Sequence, residues 1–124
     1  MAVNEARVTR VFADANGETH FEDVVVPLES KGAIGNLSER HPVASVIFRS
    51  CEPGYDFDYH CAPERQYLVI LDGSAEVTVS DGERREFTAG DVLLLEDTEG
   101  RGHRTRTTSE GVRRTLFIPL APES

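Results

Sequence analysis

Residues 54–73, with the sequence GYDFDYHCAPERQYLVILDG, decide the fold of this chain. The stretch begins at a glycine, turns at Ala62-Pro63 and ends at Asp72-Gly73, and a β-prone run lies on each side of the central turn. It therefore predicts two neighbouring strands. The first strand carries His60 and the second carries Gln66.

The rest of the chain has the pattern of short strands separated by turns. Asn16-Gly17 and Asp81-Gly82 are hairpin signals, and residues 29–42 form a long polar loop with room for one helical turn. No segment keeps the apolar period of a helix. We predict an all-β sandwich or barrel of about ten strands with little helix, formed by a single domain over residues 1–124. The further predicted strands are residues 7–13, 18–28, 43–50, 75–79, 84–88, 92–95, 103–108 and 112–120.

Composition excludes several classes of partner. The 124 residues carry a net charge of −9, which is a poor match for nucleic-acid phosphates or anionic membranes. No apolar run approaches the roughly 20 residues that span a bilayer, and the N-terminal residues lack an apolar signal segment. We expect a cytoplasmic protein. Cys51 and Cys61 have neither CxxC nor metal-finger spacing and are predicted to be free thiols, with no role assigned.

Two spaced motifs give the chain a resemblance to a known family. Gly54 is followed after five residues by His60, and then come Ala62, Gln66 and Gly73. Later, Gly90 precedes the segment Gly100-Arg101-Gly102-His103, with Thr107 four residues beyond. This pattern over residues 43–120, with motif regions 54–73 and 90–107, resembles a small single-domain bacterial cupin. The resemblance implies a jelly-roll β-barrel of the RmlC-like type. It implies no particular activity.

The resemblance also raises the question of whether this chain binds a metal ion. Metal-binding cupins hold one divalent ion with two histidines and a glutamate of the first motif and a histidine of the second. Here His60, Gln66 and His103 stand at three of these positions, while Ala62 replaces a histidine and the glutamate has become Gln66. One divalent ion (Fe, Ni, Mn or Zn) on this incomplete set is one expectation. A metal-free pocket is the other, and no organic cofactor is indicated. The candidates to complete the set are Asp58, His20 and His41.

Strand alternation predicts which side chains face the interior. His60, Asp58 and Asp56 would share one face of their strand, with the intervening aromatic residues on the other, unless a bulge reverses the pattern. Gln66, Leu68 and Ile70 would face inward on the next strand, as would His103, Thr105 and Thr107 on a later one.

Charged residues near the motifs leave two interpretations open. Arg49 and Arg65 are either anchors for a ligand carboxylate or surface charges. Glu96, Asp97 and Glu99 form either an acidic rim at the pocket mouth or ordinary solvated loop charges.

We therefore predict a barrel that binds a small polar organic molecule, with ligand contacts from Gln66, Asp58, Thr105 and Arg49. If the protein is an enzyme, His60 and His103 are its acid–base groups in an isomerase, cyclase or lyase type of proton transfer. A metal-dependent dioxygenase and a non-catalytic ligand sensor are the alternatives. A homodimer is expected, with strands 7–28 adding to the chain's own sheet or to that of the partner.

Overall fold

The computed structural model describes residues 3–122, and in this part of the chain the all-β prediction is confirmed. There is no α-helix among these residues, and one 3₁₀ turn covers Gly32–Ile34. Residues 3–122 form twelve strands, of which two have only two residues each and ten are of ordinary length. The strands are β1 Glu5–Ala13, β2 Thr19–Pro27, β3 Glu29–Ser30, β4 Asn36–Leu37, β5 Ile47–Cys51, β6 Asp56–His60, β7 Gln66–Asp72, β8 Ser74–Val79, β9 Arg84–Thr88, β10 Val92–Leu95, β11 His103–Thr107 and β12 Arg113–Pro119.

Two sheets form the body of the fold. The larger has the strand order β2-β1-β10-β7-β12-β5, and the smaller has the order β6-β11-β8-β9. Their strands pair antiparallel, except that β1 runs parallel to β10. The β1–β2 hairpin thereby joins the chain's own large sheet, as one of the two predicted alternatives requires. The predicted homodimer stays a prediction, and β2 and β5 are the edge strands of the large sheet.

The hydrophobic core lies between the two sheets. The large sheet contributes Val11, Leu68 and Leu93, and the small sheet contributes Val79 and Phe87, all of them buried. Alternate residues of a strand point to opposite faces, so the buried residues of β7, which are Gln66, Leu68 and Ile70, share the inner face of the large sheet. The core is therefore formed jointly by residues of both sheets.

Strand bounds differ from the sequence-based ones chiefly at β5. The prediction began this strand at Val43, but the regular strand starts at Ile47, and Val43 makes only an isolated bridge to Leu120. Ala44 still donates to the carbonyl of Pro119, but the chain bends at this residue, so regular pairing starts only at Ile47. No helix within the described residues has the length and apolar character that crossing a membrane requires.

Candidate functional site

The barrel interior holds a small cavity lined by five of the six predicted site residues. Its volume is about 50 Å³, which is room for roughly three or four water molecules. The predicted residues in its wall are His60, Gln66, His103, Thr105 and Arg49, and Tyr55 and Phe117 join them. The inward prediction for Gln66 and for the odd-numbered residues of β11 agrees with their burial.

A bulge in β6 decides which of its side chains reach this cavity. His103 lies opposite His60, but two positions further along β11, Thr105 lies opposite Phe57, so Asp58 and Tyr59 together face a single residue of β11. The alternation reverses at this point, and Tyr55 lines the cavity together with His60. The prediction that Asp56 and Asp58 share the face of His60 is therefore wrong.

Asp58 is the one predicted ligand-binding residue that the structure does not bring to the cavity. It is exposed, and its carboxylate accepts a hydrogen bond from the backbone N–H of Tyr59 at 2.8 Å. Asp56 also points outward and pairs with Arg104 on β11, at 2.8 Å between Oδ2 and Nη2.

His60 is fixed by its own strand. Its Nδ1 donates to the backbone carbonyl of Asp58 at 2.8 Å, and Phe57 stacks on the ring with 3.9 Å between centroids. Because a carbonyl only accepts, Nδ1 carries the hydrogen, and Nε2 of the neutral ring is an acceptor. Burial lowers the pKa of His60, the Asp58 carbonyl opposes this, and His103 lowers it further. His60 is thus an uncharged imidazole at neutral pH.

His103 is held by a buried carboxylate. Its Nδ1 lies 2.5 Å from Oδ2 of Asp97, and both side chains are almost completely inaccessible to solvent. The carboxylate accepts the Nδ1 hydrogen, so Nε2 is the nitrogen left for other partners. The rings of His103 and His60 lie 4.7 Å apart between centroids. Two oriented imidazoles therefore stand side by side in the cavity wall.

The loop 96–102 is tied down at several points, and this places Asp97. The backbone carbonyl of Asp97 accepts from the N–H of Ala62 at 3.1 Å. Glu96 binds Arg10 through one carboxylate oxygen and Arg65 through the other. Burial would raise the pKa of Glu96, but these two arginines outweigh it and lower the pKa. The loop is therefore anchored to both β1 and the start of β7.

Gly102 allows β11 to begin directly against β6. A Cβ at this position would lie 2.2 Å from the carbonyl oxygen of His60, and the backbone has φ of +74°. Only glycine accepts both the close approach and the left-handed conformation without strain. The glycine before His103 is thus what lets the two imidazoles meet.

Several predicted alternatives are resolved by these contacts. Asp97 is neither a rim acid nor a solvated charge, because it is fully buried against His103. Arg65 pairs with Glu96 and does not line the cavity. His20 lies between Asp14 and Asp81, and His41 bonds Tyr67, so neither histidine reaches the interior.

Both cysteines are free, as predicted. Cys51 is buried beside Arg113, at 3.5 Å from its Nη2. Cys61 donates to the carbonyl of Gly100, and burial raises the pKa of its thiol, so it stays protonated and weakly nucleophilic.

A larger groove of about 570 Å³ lies outside the barrel, between residues 39–42 and the outer face of β7 and β10. It contains the hydrogen bond between His41 Nδ1 and the Tyr67 hydroxyl, at 2.7 Å. We place the candidate site in the smaller interior cavity, because the oriented imidazoles converge there.

The donor set does not match the metal site that the resemblance implies. His60 and His103 each have Nε2 available, but Gln66 adds only a neutral amide, and Ala62 adds nothing. Within residues 3–122 no group of three or more His, Cys, Asp or Glu side chains is arranged to hold an ion. We derive no step through a metal, and the single divalent ion stays a prediction that elemental analysis of untagged protein can test.

Comparison with known proteins agrees with this architecture. A family described as EutQ-like cupin domain matches residues 43–115. The chain belongs to this cupin family. The match includes both motif segments that carry the site, from Gly54 to Thr107. A search of curated proteins finds no match.

Among solved structures, the cupin domain of Cnp3 from Schizosaccharomyces pombe is similar over 96% of this chain and 85% of that one, with a TM-score of 0.54 and 14% identity. A cupin superfamily protein from Desulfitobacterium hafniense covers 69% of this chain and 73% of its own, at 20% identity and a TM-score of 0.48. An RmlC-like cupin from Shewanella frigidimarina covers 94% and 95%, at 16% identity and a TM-score of 0.47. The first of these similarities supports the predicted jelly-roll fold.

Sequence reasoning missed Asp97 and Tyr55 as parts of this cupin site. Asp97 lies between two other acids of a Gly-rich loop, and nothing local separates the buried one from its neighbours. Tyr55 is an odd number of residues from His60, so regular alternation would place the two side chains on opposite faces, and only the bulge brings them to the same side. The one available signal was that Asp97 precedes His103 by a short loop.

Proposed function

We propose that this cupin binds a small polar organic molecule in its interior cavity and moves a proton on it, with His103 as the principal base. The observation that supports this most is the hydrogen bond from His103 Nδ1 to the buried carboxylate of Asp97. A carboxylate behind an imidazole fixes its tautomer and stabilises the imidazolium that forms when Nε2 takes a proton.

The proposed step uses only groups of the cavity wall. Nε2 of His103 takes a proton from a carbon of the ligand next to a carbonyl group. The electron pair of the broken C–H bond forms a C=C bond to the carbonyl carbon, and the π electron pair of the C=O bond moves onto the carbonyl oxygen. The Gln66 amide and the Thr105 hydroxyl line the cavity, and neither side chain has a hydrogen-bond partner among the described residues, so both can donate to that oxygen. The proton then returns from His103 to the same or a neighbouring ligand atom.

His60 is the second acid–base group in this proposal. Its lowered pKa keeps the ring neutral near pH 7, mainly because the ring is partly buried. Its Nε2 can therefore take the proton of a ligand hydroxyl next to the reacting carbon and pass it to the negatively charged carbonyl oxygen, while His103 holds the proton taken from the carbon. Two groups with different environments are what an isomerase or lyase type of reaction requires.

The experiment is proton exchange in D₂O. Pyruvate and hydroxyacetone, two small carbonyl compounds with exchangeable carbon-bound hydrogens, are incubated with the protein, and the loss of their ¹H NMR signals is followed. We expect faster exchange than in buffer, and a fall by about 10²-fold or more in His103→Asn, with a smaller fall in His60→Asn. His41→Asn, whose ring is outside the barrel, is the matched control and should exchange normally.

Exchange at the buffer rate for both probes, by folded protein that binds them, would contradict the proposal and favour a non-catalytic binding module. Unchanged exchange in His103→Asn would show that another group is the base.

A further inference from the structure

The inside of the barrel carries positive charge although the whole chain is acidic. The net charge is −9, yet the cavity wall holds Arg49, which has no carboxylate partner among residues 3–122. The arginines outside the cavity are mostly paired, as with Arg104 and Asp56 or Arg114 and Asp72. An unpaired guanidinium in a cavity of this size calls for an anion.

The guanidinium of Arg49 is held in one position by aromatic side chains. It lies over the Phe117 ring at 4.6 Å and beside the Tyr55 ring at 5.2 Å from the ring centroids. Nη2 donates to the Tyr55 hydroxyl at 2.9 Å. Its other N–H groups have no partner in the described part of the chain. A guanidinium fixed in this way is pre-organised to bind a planar anion through two parallel hydrogen bonds.

A second arginine, Arg113, lies beside the Tyr55 ring and adds another positive charge there. Arg113 is fully buried, with its guanidinium 5.4 Å from the Tyr55 ring centroid. Nε donates to Thr107, Nη2 reaches only the thiol of Cys51, and Nη1 has no partner in the described residues. Burial lowers the pKa of Arg113, and Arg49 lowers it further, as expected for a cation that lacks a neighbouring acid.

The acids near the cavity are already engaged elsewhere. Asp97 accepts from His103, and Asp56 pairs with Arg104 on the outer face. Asp58 is exposed and bonds its neighbour's backbone. None of these three carboxylates is therefore left to neutralise Arg49.

We propose that the ligand is a small carboxylate, whose carboxylate group Arg49 binds bidentately while the rest of the molecule faces His60 and His103. This inference rests on the proposed function in one respect only, which is that the part of the ligand away from its carboxylate reacts with the two histidines. The cavity volume of about 50 Å³ restricts the ligand to a compact acid of about the size of pyruvate.

The test compares pyruvate with pyruvamide, which has nearly the same shape and no charge, by isothermal titration calorimetry. Wild-type protein should bind pyruvate about tenfold or more tightly than pyruvamide, because a bidentate pair with a fixed, partly buried guanidinium is worth at least this factor. Arg49→Gln should bind the two probes equally. Arg49→Lys should keep part of the preference, since it retains the charge but loses the fork. Arg7→Gln, at an exposed position of β1, should behave like wild type.

Equal affinity for pyruvate and pyruvamide in wild-type protein, or no binding of pyruvate at millimolar concentration, would overturn the inference. So would an undiminished preference in folded Arg49→Gln. If Arg49→Gln does not fold, as judged by circular dichroism, the wild-type affinity ratio and Arg49→Lys decide. Pyruvate that binds through Arg49 without proton exchange would contradict the proposed function alone, and exchange on hydroxyacetone without a carboxylate preference would contradict this inference alone.

Discussion

Two histidines of this cupin bind carboxylates, and they do so in opposite ways. His103, inside the barrel, meets one buried carboxylate at Nδ1 and keeps Nε2 for the cavity. His20, at the edge of the barrel, has Asp81 at Nδ1 and Asp14 at Nε2, at 2.7 and 2.8 Å. Both ring nitrogens of His20 are therefore engaged, and neither is available to exchange a proton with a ligand. The ring instead joins the β1–β2 turn to the β8–β9 turn.

The two environments also affect charge differently. The hydrogen bond with Asp14, followed by the one with Asp81, raises the pKa of His20 and favours its charged form. His60, the neighbour of His103, is instead kept neutral, first of all by burial. An imidazole with two surface acids is thus a structural cation, whereas one in a cavity with one nitrogen engaged can exchange protons.

The largest difference between the two histidines should appear when a carboxylate beside each of them is neutralised. In Asp97→Asn the introduced amide can donate to Nδ1, which moves the ring hydrogen to Nε2 and removes the base. We expect proton exchange to fall by about 10²-fold or more. The ¹H–¹⁵N NMR pattern of His103 should report the changed tautomer.

Asp14→Asn is the matched control, because it neutralises one of the two carboxylates beside His20 and leaves the cavity unchanged. Its exchange rate should equal that of wild type. An unchanged His103 tautomer together with normal exchange in Asp97→Asn would remove the proposed role of the buried carboxylate.

A glycine near each histidine offers a second comparison. Gly102→Ala would place a methyl group 2.2 Å from the His60 carbonyl, at a backbone φ of +74°. Overpacking and backbone strain together should lower the free energy of unfolding by about 3 kcal/mol or more. Urea or thermal unfolding measures this.

Gly82, next to Asp81 in the β8–β9 turn, also has a positive φ, of +100°, but nothing lies within 4 Å of an added Cβ. Gly82→Ala should therefore cost only about 1 kcal/mol, from backbone strain. An equal decrease in the free energy of unfolding in the two variants would mean that the contact with β6 adds nothing to the cost of a Cβ at position 102.

The smallest expected effect concerns the pH dependence of the turn connection. The pKa of His20 is higher in the folded chain than its ordinary value, so its stabilisation is fully present below about pH 6.5 and is lost as pH rises through the folded pKa. The difference in Tm between wild type and His20→Gln should be largest near pH 6 and shrink toward pH 9. A difference that grows with pH would contradict the assignment of His20 as a cation.

Much of the fold was predictable because strand alternation and turn chemistry act locally. The burial of Gln66, Leu68 and Ile70 follows directly from a period of two. The β5 boundary was less predictable, since its pairing with β12 depends on a distant strand. Five of the six predicted site residues line one cavity, and the exception, Asp58, lies at the bulge.

Most of the strands, the motif spacing and the presence of His60, Gln66 and His103 follow from residue order alone, because strand alternation and turn chemistry are local. The burial of Asp97 behind His103, the position of Tyr55 beside His60 in the cavity and the lack of an acid at Arg49 arise only in the folded barrel. Those features arise where segments far apart in the chain meet. Whether a loop acid is solvated or buried depends on what packs over it, and no local pattern contains that information.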